Sequence, residues 1–115
     1  MKDYEGKITY KEKEYKLVFD LNVMEAIQEE YGTIEKWTEL TSGEKQEANC
    51  KAIKFGYTQM LNEGLSIEAD ENGTEFKPLT SAFVGRMLTE IGLSNMTKAL
   101  QETVIESTKT DEKNA

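Results

Sequence analysis

Hydrophobic and polar positions alternate along the first part of the chain and then repeat with a helical period. Residues 7–10 and 15–19 alternate polar and apolar side chains, as half-buried strands do, and the charged run 11–14 separates them. Because this run lacks the Asn-Gly pair of a two-residue turn, we expect a four-residue loop. The pattern predicts a β-hairpin, which is marginal alone and must pack its apolar face on other elements.

Helical spacing follows the hairpin at once. Asn22 with Glu25 has the form of a capping box and predicts a helix through Tyr31, which Gly32 ends. Thr33 is then expected to cap a second, shorter helix. The apolar positions of that short helix are Ile34, Trp37 and Leu40.

The longest apolar stripe predicts the longest helix. Thr41 with Glu44 forms another capping-box pattern, so we expect this helix to start there, to run to about Glu63 and to stop at Gly64. Gly56 lies on its apolar stripe, although glycine within a helix costs roughly 1 kcal/mol relative to alanine. Its position therefore predicts that another helix approaches closely.

The remainder of the chain predicts a loop, two more helices and a tail. Residues 65–78 have no helical period and contain Asn72-Gly73, so we expect a loop or a small second hairpin there. Thr80 is expected to cap a helix that ends at Gly92, and Ser94 to cap a final one. Residues 108–115 have no large apolar side chain and predict a disordered tail.

These elements predict an α+β, mostly helical fold. An N-terminal β-hairpin packs on about four helices, in a single domain over residues 1–107 that is followed by the tail 108–115. A length of 115 residues suits one domain with one modest core.

Composition removes most catalytic chemistry. The chain has no histidine and one cysteine, Cys50, which excludes histidine triads, histidine metal sites and an intrachain disulfide. No window approaches the roughly 18 apolar residues of a membrane span, and no apolar stretch follows the N-terminal charges, so we expect neither a span nor a secretory signal.

Negative charge is concentrated in the middle of the chain. The net charge is −8, and residues 20–75 hold thirteen acidic residues against four lysines. Such a segment repels phosphate, so nucleic acid and anionic membranes are disfavoured partners. It keeps the protein soluble and could steer a basic protein toward it.

No motif in the chain supplies a catalytic, cofactor or metal site. Asp70, Asn72 and Glu75 are similar to a calcium loop, but with Asp70 at position 1 the glycine falls at position 4, and position 12 is Ser81. Turn chemistry explains this stretch better. We therefore predict no catalytic residue, no cofactor and no metal.

Aromatic residues near the acidic segment are the candidate contacts for a partner. Trp37 lies on a helix too short to be stable alone, so it must pack either on its own domain or on a partner. We predict partner binding by the aromatics Trp37, Phe55 and Tyr57, which supply contact area, and by the acids Glu35 and Glu39, which guide the approach.

The order of elements resembles one known family. The pattern Gly-x-Ile-x-Tyr-x(4)-Tyr-x-Leu-x-Phe over residues 6–19, followed by Asp20–Gly32, is similar to tail assembly chaperones of long-tailed phages and prophages. Glu29, Glu30, Tyr31 and Gly32 fit the end of that family's first helix, and residues 53–57 resemble its central helix. The resemblance covers about residues 6–107.

The resemblance implies a non-enzymatic role in the bacterial cytoplasm. Such chaperones bind the tape measure protein and assist polymerisation of the tail tube, so the expected partners are the tape measure protein, possibly the tail tube protein, and other copies of the chain. Two alternatives remain open. One is a tail-completion or connector component that stays in the virion, and the other is an acidic regulator that mimics nucleic acid.

Overall fold

Two antiparallel strands and four helices make up the part of the chain that the computed structural model describes, residues 5–43 and 47–92. The elements are β1 (Glu5–Tyr10), β2 (Lys13–Val18), α1 (Leu21–Tyr31), α2 (Ile34–Ser42), α3 (Cys50–Asn72) and α4 (Ser81–Ile91). The mostly helical α+β class with an N-terminal hairpin is confirmed. The helix predicted from Ser94 and the tail 108–115 lie outside the described residues.

The hairpin turn is tighter than predicted. Tyr10 pairs with Lys13, so only Lys11 and Glu12 form the turn, and the expected four-residue loop is wrong. Both turn residues are left-handed, with φ of 49° and 65°, as the two central residues of a type I′ turn require. The Lys11 ammonium lies 5.4 Å from the Tyr10 ring centroid, a favourable contact that accompanies this unfavourable backbone.

The hairpin packs across the middle of α3. Tyr15 and Leu17 of β2 are buried, and a Cβ built on Gly64 would lie 2.8 Å from the backbone carbonyl oxygen of Lys16. Gly64 is therefore the position at which β2 crosses α3, and it does not end the helix. This close approach explains a glycine there.

Helix α3 continues eight residues beyond Gly64, which corrects the prediction of a loop or hairpin at 65–78 over most of its length. Gly73 has a left-handed backbone with φ of 66°, and its N–H donates to the Ala69 carbonyl. The Asn72-Gly73 pair thus ends a helix instead of turning a hairpin, since left-handed glycine serves both purposes.

Two helix starts also differ from the prediction. Asp20, not Asn22, caps α1, because its Oδ1 accepts from the Val23 N–H at 3.2 Å. The predicted start at Thr41 is wrong as well, since Thr41 is buried within α2 and α3 begins only at Cys50. Asn49 caps α3 by accepting from the Ala52 N–H at 3.0 Å. Glu44, the other half of the predicted capping box, lies outside the described residues.

The remaining helix ends agree with the prediction. Thr33 caps α2 and Thr80 caps α4, with hydroxyl oxygens 2.9 and 3.1 Å from the N–H groups of Lys36 and Phe83. Gly32 and Gly92 have positive φ and end α1 and α4. These ends are set by local side-chain and backbone hydrogen bonds, which a short sequence window contains.

The core is organised around Trp37, which is 1% exposed. Its indole N–H donates to the Ala52 carbonyl of α3 at 3.0 Å, and a Cβ on Gly56 would overlap Cζ2 of the ring. This contact confirms the close helix approach predicted at Gly56. Phe19 stacks on the indole, with ring centroids 6.4 Å apart, so one side chain joins the hairpin end, α2 and α3.

Replacing the hairpin turn by the type I′ pair Asn-Gly (Lys11→Asn with Glu12→Gly) should stabilise the protein by about 1 kcal/mol. Lysine and glutamate in the left-handed region are each destabilising by roughly 1–2 kcal/mol. The net gain is smaller than the sum of these energies, because glycine is more flexible in the unfolded chain and the cation–π contact is lost. Urea unfolding measures the change. Lys11→Ala, which keeps the left-handed residue, is the control and should give no gain; equal results for both variants would contradict the two-residue turn.

Gly56→Ala should destabilise the protein by about 2–4 kcal/mol, because the new methyl group displaces the Trp37 ring and its hydrogen bond to Ala52. Gly85→Ala in α4 is the matched control. Its Cβ would meet only Cδ of the flexible Lys54 side chain, at 3.3 Å, so helix propensity should dominate and add up to about 1 kcal/mol. Thermal and urea unfolding test the opposite signs, and a neutral Gly56→Ala would refute the contact.

Candidate partner-binding surface

Two of the five predicted contact residues lie inside the core. Trp37 and Tyr57 are each 1% exposed, so neither offers surface to a partner in this conformation. Burial also raises the pKa of the Tyr57 hydroxyl well above its usual value. Their aromatic side chains stabilise the fold. For Trp37 this agrees with the alternative in which it packs on its own domain.

Glu35 and Glu39 are exposed on α2, one turn apart and on the same side. No ion pair found within residues 5–43 and 47–92 includes either carboxylate. Like charges at this spacing repel by roughly 0.2–0.5 kcal/mol on a helix. The two acids thus leave negative charge on the surface that the described fold does not neutralise.

Phe55 is half-buried on α3 and packs edge-on against Tyr31, the last residue of α1, with ring centroids 5.6 Å apart. Beside them Lys51 and Glu30 form an exposed ion pair with a 4.0 Å separation. These four residues, Glu30, Tyr31, Lys51 and Phe55, are called the Tyr31 patch below. It combines partly exposed aromatic area with charge, the mixture common at protein interfaces.

The Tyr31 hydroxyl oxygen is buried, yet it has no hydrogen-bond partner among the described residues. Its burial, together with the negative charge of Glu30, raises the pKa of this phenol. A buried polar group without a partner is unfavourable by about 1–3 kcal/mol. The patch therefore covers a polar group whose hydrogen-bonding capacity the described residues leave unused.

Helix α1 runs antiparallel along α3, which places the patch at one end of their contact. At the other end Asn22 donates from Nδ2 to Oε2 of Glu63 at 3.0 Å, while Tyr31 and Glu30 meet Phe55 and Lys51 near the start of α3. Val23 and Ile27 fill the interface between these ends. The patch is thus held by a packed helix pair.

The Asn22 end of the helix pair holds a carboxyl pair that the sequence did not reveal. Desolvation and a hydrogen bond with the Glu63 carboxyl raise the pKa of Asp20 from 3.8 to about 6, and the Val23 N–H opposes this shift. Asp20 could have been recognised as a cap, because it immediately precedes the helix. Glu63 lies too far along the chain for any local signal to pair the two.

The described residues contain no group of three or more His, Cys, Asp or Glu side chains placed to hold a metal ion. Cys50 is an exposed free thiol at the start of α3. Within the same ranges, no helix has the length and apolar character needed to cross a bilayer. The Tyr31 patch and the exposed acids Glu35 and Glu39 are the candidate partner-binding features among the described residues.

Comparison with known proteins gives no relative: no family model, no curated protein and no solved structure matches the chain.

The Asp20 carboxyl makes stability depend on pH. In the folded chain Asp20 keeps its proton up to about pH 6, whereas in the unfolded chain it loses it near pH 4. The folded state binds more protons between these values, so the contribution of Asp20 is complete below about pH 4 and is lost as pH rises through about 6.

Asp20→Asn should therefore raise the melting temperature at pH 7 and have little effect at pH 4. The amide still accepts from the Val23 N–H, and it can donate to Glu63 where an ionised Asp20 is repelled. Melting curves followed by circular dichroism from pH 4 to 8 measure the difference. Glu25→Gln, which changes an exposed acid of the same helix, is the control. If the melting temperature of Asp20→Asn depends on pH in the same way as that of the wild type, the carboxyl pair is contradicted.

Proposed function

We propose that this chain is a non-enzymatic tail assembly chaperone of a long-tailed phage or prophage, which binds the tape measure protein while the tail tube polymerises. The observation that carries the proposal is the segment Asp20–Gly32, whose sequence resembles that family. Within it, Val23 and Ile27 are buried, and Asp20 and Gly32 bound α1. Burial and helix capping therefore explain part of the similarity to that family.

Other residues of the segment Asp20–Gly32 face solvent. Gln28, Glu29 and Glu30 are exposed at the C-terminal end of α1, directly before Tyr31. Glu30 has its exposed ion pair with Lys51, but neither packing nor capping requires Glu29 there. Acidic side chains at a helix C-terminus oppose its dipole by roughly 0.3–1 kcal/mol. Recognition of a partner would explain the exposed glutamates at the end of α1, because the Tyr31 patch begins at Glu30.

The chemistry of this surface fits a helical client with basic and apolar residues. A client helix can place apolar side chains on the half-buried rings of Phe55 and Tyr31, and the exposed acids Glu35 and Glu39 can attract its lysine or arginine residues. Aromatic contacts at the centre then supply affinity, and the exposed acids supply the approach. We propose the bacterial cytoplasm as the place of action, since tails assemble there.

Phe55→Ala should weaken capture of the tape measure protein at least tenfold, because loss of one aromatic at an interface centre is worth about 2 kcal/mol or more. The matched control is Phe76→Ala, which removes an aromatic ring that is 41% exposed in the segment between α3 and α4. Purified chain and tape measure segments in a titration give both affinities, with circular dichroism as the check of folding. Equal effects of the two variants would refute the surface.

The paired change Glu35→Gln with Glu39→Gln separates this proposal from the acidic-mimic alternative. Exposed rim charges contribute roughly 0–1 kcal/mol, so we expect slower association and a flatter salt dependence with a nearly unchanged dissociation rate. If instead this pair lowers equilibrium affinity more than Phe55→Ala does, the acidic regulator is the better account. Presence of the chain in purified virions would favour the structural tail component.

A further inference from the structure

The outer edge of β1 has hydrogen-bonding groups that the described chain does not use. Among residues 5–43 and 47–92, β1 pairs with β2 alone, in a two-stranded sheet. Because the two-residue turn makes Tyr10 and Lys13 a hydrogen-bonded pair, the alternation of an antiparallel ladder does the same for Ile8 with Tyr15. The N–H and C=O groups of Lys7 and Thr9 must then point away from β2.

These outward groups are accessible. Lys7 and Thr9 are exposed, and no residue of 5–43 or 47–92 forms a hydrogen bond with their backbone groups. Ile8, between them, is only half-buried against the core, so the strand also has apolar surface at its edge. An edge of this kind accepts another strand readily.

We propose that this edge binds β1 of a second copy, antiparallel, with Ile8 opposite Ile8 at the two-fold axis. Lys7 of each copy then pairs with Thr9 of the other, and the two pairs make four backbone hydrogen bonds. The result is a four-stranded sheet in the order β2–β1–β1–β2. The resulting interface is isologous, because the same strand edge of each copy forms it, as a closed two-fold dimer requires.

Side-chain chemistry favours this register. Ile8 against Ile8 is a non-hydrogen-bonded pair, in which side chains come closest, so the half-exposed apolar surface of both is covered. Tyr10 of one copy comes opposite Gly6 of the other, where the ring can cover the space that glycine leaves. On the solvent face Lys7 meets the neutral Thr9.

The neighbouring register would be less favourable. With Lys7 at the axis, two ammonium groups would stand directly opposite each other, which is destabilising. The contact of each Lys7 with Glu14 of its own hairpin, at 3.8 Å, balances its charge only partly and is the same in either register. The interaction needs no client, so it stands or falls apart from the proposed chaperone function.

Thr9→Pro tests the edge without touching the hairpin. Proline removes the outward N–H and is tolerated at edge positions whose N–H faces solvent, so pairing with β2 is retained. Sedimentation equilibrium on the full chain should show a concentration-dependent dimer for wild type and at least tenfold weaker association for Thr9→Pro. Thr9→Val keeps the N–H and should dimerise as wild type does, with circular dichroism checking every variant.

A second measurement is independent of whether Thr9→Pro folds. In a Cys50→Ser background, Ile8→Cys should form an intermolecular disulfide on mild oxidation, because the axis places the two thiols side by side, whereas Thr9→Cys should crosslink poorly. A wild-type chain that stays monomeric at its highest soluble concentration overturns the proposal. So does undiminished dimerisation of folded Thr9→Pro, or crosslinking through Thr9→Cys in preference to Ile8→Cys.

Discussion

The contact of the Trp37 indole with the Ala52–Gly56 turn of α3 is the constraint on which the rest of the structure depends. The ring needs a helix surface without a side chain, which Gly56 supplies, and its N–H needs an acceptor, which the Ala52 carbonyl supplies. Because a buried indole with an unsatisfied N–H would be costly, the two requirements fix the position of α2 on α3 together. Phe19 then stacks on the same ring and fixes where the hairpin ends.

A second glycine contact extends this arrangement along α3. Gly64 lets the β2 backbone cross the helix at Lys16, two turns beyond Gly56, so α3 supports both the short helix and the hairpin through positions that lack side chains. Helix α1 packs along α3, with the Asp20–Glu63 carboxyl pair at one end and the Tyr31 patch at the other. The candidate surface is therefore a consequence of how α3 is packed, and no loop is needed to build it.

Local signals in the sequence predicted local features. The caps Thr33 and Thr80 and the glycine ends at 32 and 92 agree with the structure, because each depends on neighbouring hydrogen bonds. Gly64 and Asn72-Gly73 misled for one shared reason: glycine ends a helix, turns a hairpin or admits a crossing backbone, and only the tertiary neighbour decides which. The hairpin turn was missed because Lys11 and Glu12 adopt a backbone that their residue types disfavour. Of the predicted partner contacts, Glu35 and Glu39 are exposed and Phe55 is half-buried, so their role stays a prediction. Sequence reasoning could not tell that Trp37 and Tyr57 are buried, or pair Tyr31 with Phe55.

Fluorescence of Trp37, the chain's one tryptophan, tests the central contact most directly. Steady-state emission and acrylamide quenching are measured on the folded protein and through urea unfolding, alongside far-ultraviolet circular dichroism. The structure predicts blue-shifted emission, weak quenching, and loss of both in the same cooperative transition as the helical signal. Red-shifted emission with free quenching in the folded protein, or a tryptophan transition that precedes loss of helix, would contradict the account.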